Sequence, residues 1–367
     1  MKKHLRIITM AVLVILLSVS LIGCGGGTST PPSPSGGTEP DASAPAPAPI
    51  SVTLIAADMT PANSSTAQML EWWGTEVEKR TNGEVKCDFY WSGSLIGAYE
   101  QLEAVKTGNI DYTAYYSGYH PDLAPLPSIC LMPMLNIGPL DEALPAVDEL
   151  YRTNPAIQAE FAGNNVHYLF PVYVPDAYIW STKKPINTVS DIKGLNFRAM
   201  STWLAFFGEL GAAPISLPLP EVYDALDRGA VDADILFLPN ATGNSYWEVT
   251  PYVNATNLGA NLGAPAVMNL DRWNSMPDYI QEIMEQTGKD AVARSIELNN
   301  ELYARDMKLL EDHNMTIAKF SQEDMDTMKQ VAMEKVWEPF IEDLESKGVA
   351  ARDVLDTYLQ LLDKYSK

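Results

Sequence analysis

The sequence predicts an α/β protein of two similar lobes with a cleft between them, and three observations predict it. Strand-like alternation and helix-like periodicity take turns from Val52 to Tyr115, the pattern of α/β folds. A helix–glycine–strand joint is written twice, as Glu103-Ala-Val-Lys-Thr-Gly-Asn-Ile-Asp111 and as Asp224-Ala-Leu-Asp-Arg-Gly-Ala-Val-Asp232. From Pro277 to the end the pattern turns helical.

Taken in order, Val52, Leu54 and Ala56 alternate with smaller or polar residues, which predicts a first strand. Asn63 or Ser64 caps a helix running to Asn82, with Met69, Leu70, Trp73 and Val77 on its apolar face and Gly83 as its stop. A strand follows over 85–91, a helix over 99–107 stopped by Gly108, and a strand over 110–115. Strands alternating with helices predict largely parallel sheets. The two copies of the joint lie too far apart for a solenoid and fit one copy per lobe. Asp278–Asp312 reads as one long or broken helix, followed by helical segments over 321–347 and 350–365. Ser321-Gln-Glu-Asp324 opens the first of these with a capping-box pattern.

Charge and composition exclude several functions. The 367 residues carry 25 Lys and Arg against 47 Asp and Glu, a net charge of −22 that repels phosphate backbones. Three cysteines cannot staple a scaffold. Cys87 and Cys130 read as core thiols, with a Cys87–Cys130 disulfide left open for an exported chain. The histidines at 4, 120, 167 and 313 are scattered and none pairs at metal-ligand spacing. Gly-x-Ser-x-Gly, His-Glu-x-x-His and P-loop patterns are absent. The many acids leave a carboxylate pair for glycoside cleavage open.

Residues 1–23 have a basic start at Lys2, Lys3 and Arg6 and an apolar stretch from Ile7 to Ile22, the pattern of an export signal. The ending Leu21-Ile22-Gly23-Cys24 resembles a bacterial lipobox and predicts cleavage before a lipidated Cys24. Residues 24–50 then form a Gly/Ser/Pro tether, and 51–367 the globular body.

Aromatic residues gather in three sets: Trp91, Tyr112, Tyr115, Tyr116 and Tyr119; Tyr173, Tyr178, Trp180 and Trp203; Phe237, Tyr246 and Trp247. Rings beside strand ends either line a cleft or pack a core. Arg198 sits in or at the end of an apolar strand and requires an anion. That anion is either a protein carboxylate or the carboxylate of a ligand, which its fork matches bidentately.

Five segments together carry a family resemblance: Thr81-Asn-Gly-Glu-Val-Lys, Ser92-Gly-Ser-Leu-Ile-Gly97, Glu103 to Asp111, Asp191-Ile-Lys-Gly-Leu-Asn-Phe-Arg198, and Pro220-Glu-Val-Tyr-Asp-Ala-Leu-Asp-Arg-Gly-Ala-Val-Asp232. In this order and spacing they resemble the solute-binding proteins of tripartite ATP-independent periplasmic (TRAP) transporters, the DctP family. The resemblance covers 51–367. It implies a two-lobed periplasmic-binding-protein-like α/β fold with a long C-terminal helical region. Lobe one would take about 51–172 plus 261–300, and lobe two 173–260 plus 301–367.

The resemblance also implies an extracytoplasmic binding protein and not an enzyme; a monomer without cofactor or metal is expected, since the residues show no metal-ligand set. It would close on a small organic acid, hold its carboxylate at Arg198, and deliver it to TRAP permease subunits in the membrane. A sensor or an ABC permease is the alternative destination, and a surface hydrolase the remote one. The chain departs from the family pattern at Tyr178, where many members carry a second arginine, and at Tyr116, where sugar-acid binders are acidic. It departs again at Val231-Asp-Ala-Asp-Ile-Leu-Phe-Leu-Pro239. These departures predict an apolar or aromatic monocarboxylate or a 2-oxoacid. The expected contacts are Arg198, Tyr178, Tyr116, Trp180, Trp203, Phe237, Met59, Asp58, Met200 and Leu236.

Overall fold

The computed structural model describes residues 50–174 and 176–366. The export signal, Cys24 and nearly all of the tether lie outside these residues. The strands are β1 (Val52–Ala57), β2 (Val85–Tyr90), β3 (Tyr112–Ala114), β4 (Val166–Val174), β5 (Ala177–Ser181), β6 (Asn196–Ala199), β7 (Ala213–Ser216), β8 (Ala233–Phe237), β9 (Tyr252–Asn254), β10 (Asn261–Asn269) and β11 (Thr316–Ala318). The helices are α1 (Ser65–Arg80), α2 (Gln101–Lys106), α3 (Leu140–Thr153), α4 (Pro155–Gly163), α5 (Thr202–Glu209), α6 (Leu219–Asp227), α7 (Leu238–Gly243), α8 (Leu270–Asn274), α9 (Asp278–Asp312), α10 (Gln322–Val331), α11 (Glu338–Ser346) and α12 (Ala351–Tyr365).

The strands form two sheets, in the orders β2-β1-β3-β10-β4 and β11-β9-β5-β8-β6-β7. Each is the floor of one lobe. The expectation of largely parallel sheets holds only in part. The pairs β1/β2, β1/β3, β6/β8, β6/β7 and β9/β11 are parallel. β10 runs antiparallel between β3 and β4, and β5 antiparallel between β8 and β9. The cause is the route of the chain. It passes from one sheet directly into the other at 174–177 and again at 255–260, with no helix to return it to the starting edge, so these strands enter reversed.

Local rules account for the elements. Ser64 caps α1 by accepting the Ala67 N–H at 3.1 Å. Met69, Leu70, Trp73 and Val77 are buried along α1. Asn82 and Gly83, at φ 51° and 82°, turn the chain into β2.

The two written copies of the helix–glycine–strand joint make the same bonds. Asp111 accepts the Ile55 N–H at 2.7 Å and its own N–H meets the Ile55 carbonyl at 2.8 Å. Asp232 does the same with Asn196, at 2.9 and 2.8 Å. Gly108 and Gly229 occupy φ 74° and 70°, which a side chain would strain.

The region 278–312 is one unbroken helix of 35 residues. Among the described residues no helix is long and apolar enough to cross a membrane. The segment 321–347 divides into α10, a wide π-turn over 332–337, and α11. Its capping box is half made. Ser321 Oγ accepts the Asp324 N–H at 3.1 Å, while the Asp324 carboxylate reaches the Val189 N–H at 3.0 Å.

One expectation changes here, and one alternative left open is answered. α12, assigned with lobe two, packs on α3 of lobe one: Tyr358 donates to Asn136 at 2.7 Å and Lys364 pairs with Glu149 at 2.6 Å. The buried Val354, Leu355 and Tyr358 of its apolar face explain the choice, because α3 offers Leu144, Val147 and Tyr151 in return. Cys87 and Cys130 are both free thiols rather than a disulfide. Cys87 packs at Gly74 on α1, and Cys130 is sealed in the turn Leu126–Leu131.

Candidate ligand-binding cleft

The lobes enclose a cavity whose empty space, counted out to its mouth, is about 620 Å³. Its walls come from the carboxyl ends of the parallel strands, where α/β sheets place ligands. Met59 follows β1, and Tyr116, Gly118 and Tyr119 follow β3. Arg198 and Met200 end β6, and Trp203 opens α5. Ile235, Leu236 and Phe237 end β8, with Asn240 in the first turn of α7. Leu131, Leu219 and Asn261 complete the lining.

Arg198 is 4% exposed. Its Nε and Nη2 donate to the Leu217 carbonyl at 2.9 and 2.7 Å, and Nη1 reaches Asp234 Oδ1 at 3.3 Å. Of the five N–H bonds of a guanidinium, three are used on Leu217 and Asp234, the Tyr119 hydroxyl bonds the same side chain, and Arg198 lines the cavity. Asp234 is fully buried and its second oxygen accepts from Tyr246 at 2.8 Å. Burial opposes the charge of Arg198, but Asp234 and the Tyr119 and Tyr246 hydroxyls keep it protonated above its usual range. Arg198 is thus paired with a protein carboxylate and also lines the cleft.

The remaining polar groups are few. Asn240 is buried, and its Oδ1 has no partner among the described residues. Asn261 uses Oδ1 on the Gly263 N–H at 2.9 Å. Across the mouth the lobes touch. Trp203 Nε1 donates to the Leu131 carbonyl at 2.9 Å, and the Leu219 N–H to Tyr119 at 3.3 Å. Gly118 packs against Ser201 so closely that a Cβ would stand 3.3 Å from Ser201 Cβ. Ser201 itself holds φ 51°, a strained value for serine.

Of the ten residues expected at the site, the cavity is lined by Arg198, Tyr116, Trp203, Phe237, Met59, Met200 and Leu236. Tyr178, Trp180 and Asp58 are not among its lining residues. Tyr178 and Trp180 share one face of β5, turned into the core of lobe two. There Trp180 donates to the Leu236 carbonyl at 2.9 Å and meets Tyr246 edge-on, and Tyr178 bonds Asp176 at 3.2 Å. Asp58 lies beneath the wall. It accepts from Thr60 N–H and Oγ1 at 2.8 and 2.6 Å and from Gln101 at 3.1 Å. Burial outweighs these bonds and raises its carboxyl to about 7.

The sequence reading missed Asn240, Asn261, Gly118, Leu131, Leu219 and Ile235, and held Tyr119 only as one of a cluster. The repeat contained the signal for Asn240. Counting equally far past Asp111 and Asp232 pairs Tyr116 with Phe237 and Tyr119 with Asn240. Counting equally far past Ile55 and Asn196 pairs Met59 with Met200. Of the other rings, Tyr112, Tyr115 and Tyr246 are fully buried core. No group of three or more metal-capable side chains occurs among the described residues.

A cleft of this form, closed over by two α/β lobes, defines a solute-binding protein. Residues 56–343 match the DctP family, described as bacterial extracellular solute-binding protein, family 7, and the chain belongs to that family, the solute receptors of TRAP transporters. Among its relatives is the monocarboxylate 2-oxoacid-binding periplasmic protein of Nostoc, 28% identical over 303 residues, covering 77% of this chain and 76% of the relative. A TRAP solute-binding protein from a marine metagenome, specific for aromatic acid ligands and holding 3-hydroxybenzoate, matches with a TM-score of 0.78. It is 21% identical, over 87% of this chain and all of that one. A Sulfitobacter protein with bound β-D-galacturonate matches with a TM-score of 0.72 at 20% identity, over 83% of this chain and 99% of its own. At such identities these two structures establish the fold alone.

Proposed function

We propose that this extracytoplasmic receptor captures a small monocarboxylate with an apolar or aromatic body and delivers it to a TRAP permease. One observation carries the reading: a single guanidinium, Arg198, lines a cavity whose walls are mostly apolar or aromatic, Met59, Leu131, Met200, Trp203, Leu236 and Phe237 among them, with Tyr116, Tyr119, Asn240 and Asn261 as the other polar groups. The carboxylate pairs with Arg198. Rings and thioethers cover the body of the ligand. A second carboxylate would find no second arginine, and a polyhydroxylated chain would leave most of its hydroxyls unpaired. The amide of Asn240 suits one further uncharged group, such as the keto oxygen of a 2-oxoacid or a ring hydroxyl. The 2-oxoacid-binding relative and the aromatic-acid-binding neighbour support this class, while the galacturonate-bound neighbour marks the competing one. Closure of the lobes on the ligand follows from contacts available only when both walls meet. Lipidation at Cys24 would hold the body at the membrane surface, close to its permease.

The test is a thermal-shift screen of residues 51–367. Its panel holds benzoate, 3-hydroxybenzoate, phenylpyruvate, 4-methyl-2-oxopentanoate, succinate, galacturonate and glucose. A ligand at a hundred times its Kd stabilises by about 2.7 kcal/mol. Shifts with the first four and none with the rest support the reading. A response to galacturonate or succinate alone overturns the ligand class, and a response to glucose alone overturns the Arg198 anchor.

A further inference from the structure

Arg198 enters the cleft already neutralised. Asp234 is fully buried against it, 3.3 Å from Nη1. The groups facing Asp234 can be named from every side. Arg198 comes from β6 and is the only cation within ion-pair distance among the described residues. Tyr246, from the turn after α7, donates at 2.8 Å. Trp180 lies opposite on β5, and Tyr119, from the turn after β3, acts on Arg198 and Tyr246. A carboxylate ligand bound at Arg198 therefore makes two anions share one cation in a largely apolar enclosure. Like charges held that close favour protonation of one of them.

We propose that the ligand anion is bound together with one proton from solvent, and that Asp234 is the group that takes it. This rests on the reading of Arg198 as the carboxylate anchor. The proton adds to a carboxylate oxygen of Asp234. The charge of the occupied site then matches that of the empty one: one guanidinium, one carboxylate, and Asp234 as the neutral acid. Either oxygen of the acid remains able to bond, one as acceptor from Tyr246 and the other as donor or acceptor beside Arg198.

The free protein is poised for the step. Burial raises the Asp234 carboxyl to about 6 even though Arg198 and Tyr246 pull it down. Above that pH the empty site holds an ionised Asp234, and the occupied site, with a second anion added, titrates higher. Binding therefore takes up protons between these two values. Affinity falls as pH rises through that window, by as much as about tenfold per pH unit. A ligand acid of ordinary pKa is already ionised there and contributes nothing to the slope.

The experiment is calorimetric titration of the 51–367 body with benzoate and with 4-methyl-2-oxopentanoate. It is run at pH 7.5 in phosphate, HEPES and Tris, whose ionisation enthalpies differ. The observed enthalpy plotted against buffer ionisation enthalpy has a slope equal to the protons taken up. The expected slope is near one in the wild type. In Asp234→Asn it falls to near zero, and affinity becomes flat from pH 6.5 to 8.5. Asp58→Asn serves as the control, because Asp58 is a second buried carboxyl raised into this range, to about 7, without touching Arg198; that variant keeps the slope. A wild-type slope near zero overturns the proposal without any variant having to fold, and leaves the carboxylate reading standing. A slope that survives Asp234→Asn and vanishes in Asp58→Asn overturns it as well. Failure of both acids to bind at all removes the carboxylate reading and this proposal together.

Discussion

The two lobes share one strand-end construction and differ in charge at one pair of residues within it. In lobe one, Asp111 ties β3 to β1. Two residues on, Thr113 donates to the Ala57 carbonyl at 2.7 Å. In lobe two, Asp232 ties β8 to β6. Two residues on, Asp234 meets Arg198, which stands where lobe one has Ala57. The walls beyond these pairs correspond as well: Met59 with Met200, Tyr116 with Phe237, Tyr119 with Asn240. The strand-end frame thus places side chains in the cleft from both lobes. Lobe two has a charged pair, Arg198 and Asp234, in exchange for the neutral Ala57 and Thr113 of lobe one.

The largest effect comes from undoing that exchange. Arg198→Ala combined with Asp234→Thr gives lobe two the pair that lobe one carries. Carboxylate affinity should fall at least a hundredfold, about 3 kcal/mol, while the fold survives, because both charges leave together. Arg198→Ala alone is a poorer probe. It strands a buried Asp234 and should lower Tm more than the double variant does, which thermal melts of the two will show. Equal melts would mean that Asp234 does not depend on Arg198.

The shared part of the frame is tested next. Asp111→Ala and Asp232→Ala each leave a strand N–H without its acceptor, so each should cost about 1–3 kcal/mol by urea unfolding. The two costs should match within about a kcal/mol, since the bonds match. A large cost at one site and none at the other would break the equivalence of the joints.

Charge burial elsewhere in lobe one sharpens the contrast. Glu160 on α4 accepts the Leu126 N–H at 3.1 Å, its other oxygen has no partner among the described residues, and burial raises it to about 8. A raised carboxyl in the native state means that folding takes up a proton, so its stability contribution is lost as pH rises through the folded value. Asp58 and Asp234 have the same sign. His120, lowered to about 4 by burial, has the opposite sign, but its effect is complete by about pH 6.5. The Tm of the ligand-free protein should therefore fall from pH 6.5 to 8. Glu160→Gln should recover about 1–3 kcal/mol at pH 8.5 while leaving ligand affinity unchanged. A Tm that climbs across that range would contradict the sign.

The smallest effect is expected at Asn240. Asn240→Ala should weaken 4-methyl-2-oxopentanoate by about tenfold and 4-methylpentanoate, which lacks the keto oxygen, hardly at all. Equal losses for the two acids would show that the amide acts through packing.

Much of this frame was legible in the residues. Ser64 with the apolar stripe of α1 fixes a helix by local rules, and the glycines at 108 and 229 mark stops that only a left-handed residue makes cheaply. The repeat announced two lobes, and its continuation held Asn240. Tyr178 was placed by its alignment with the family's second arginine and Trp180 by its aromatic set, and neither states which face of β5 looks into the cleft. That depends on β5 entering its sheet reversed. The position of α12 on α3 was equally hidden: an amphipathic stripe states that a helix packs, and only the path of the chain decides against which lobe. Asn261 carried no signal, since a lone asparagine opening a strand resembles any turn residue.

The central claim is that a carboxylate, and not merely an apolar body, is what Arg198 holds. Titrating the wild-type body with benzoate and with its neutral isostere benzamide at pH 6.5 tests it most directly, because shape and ring are shared and the charge is not. Benzoate should bind at least tenfold more tightly. Benzamide binding as tightly as benzoate would contradict it.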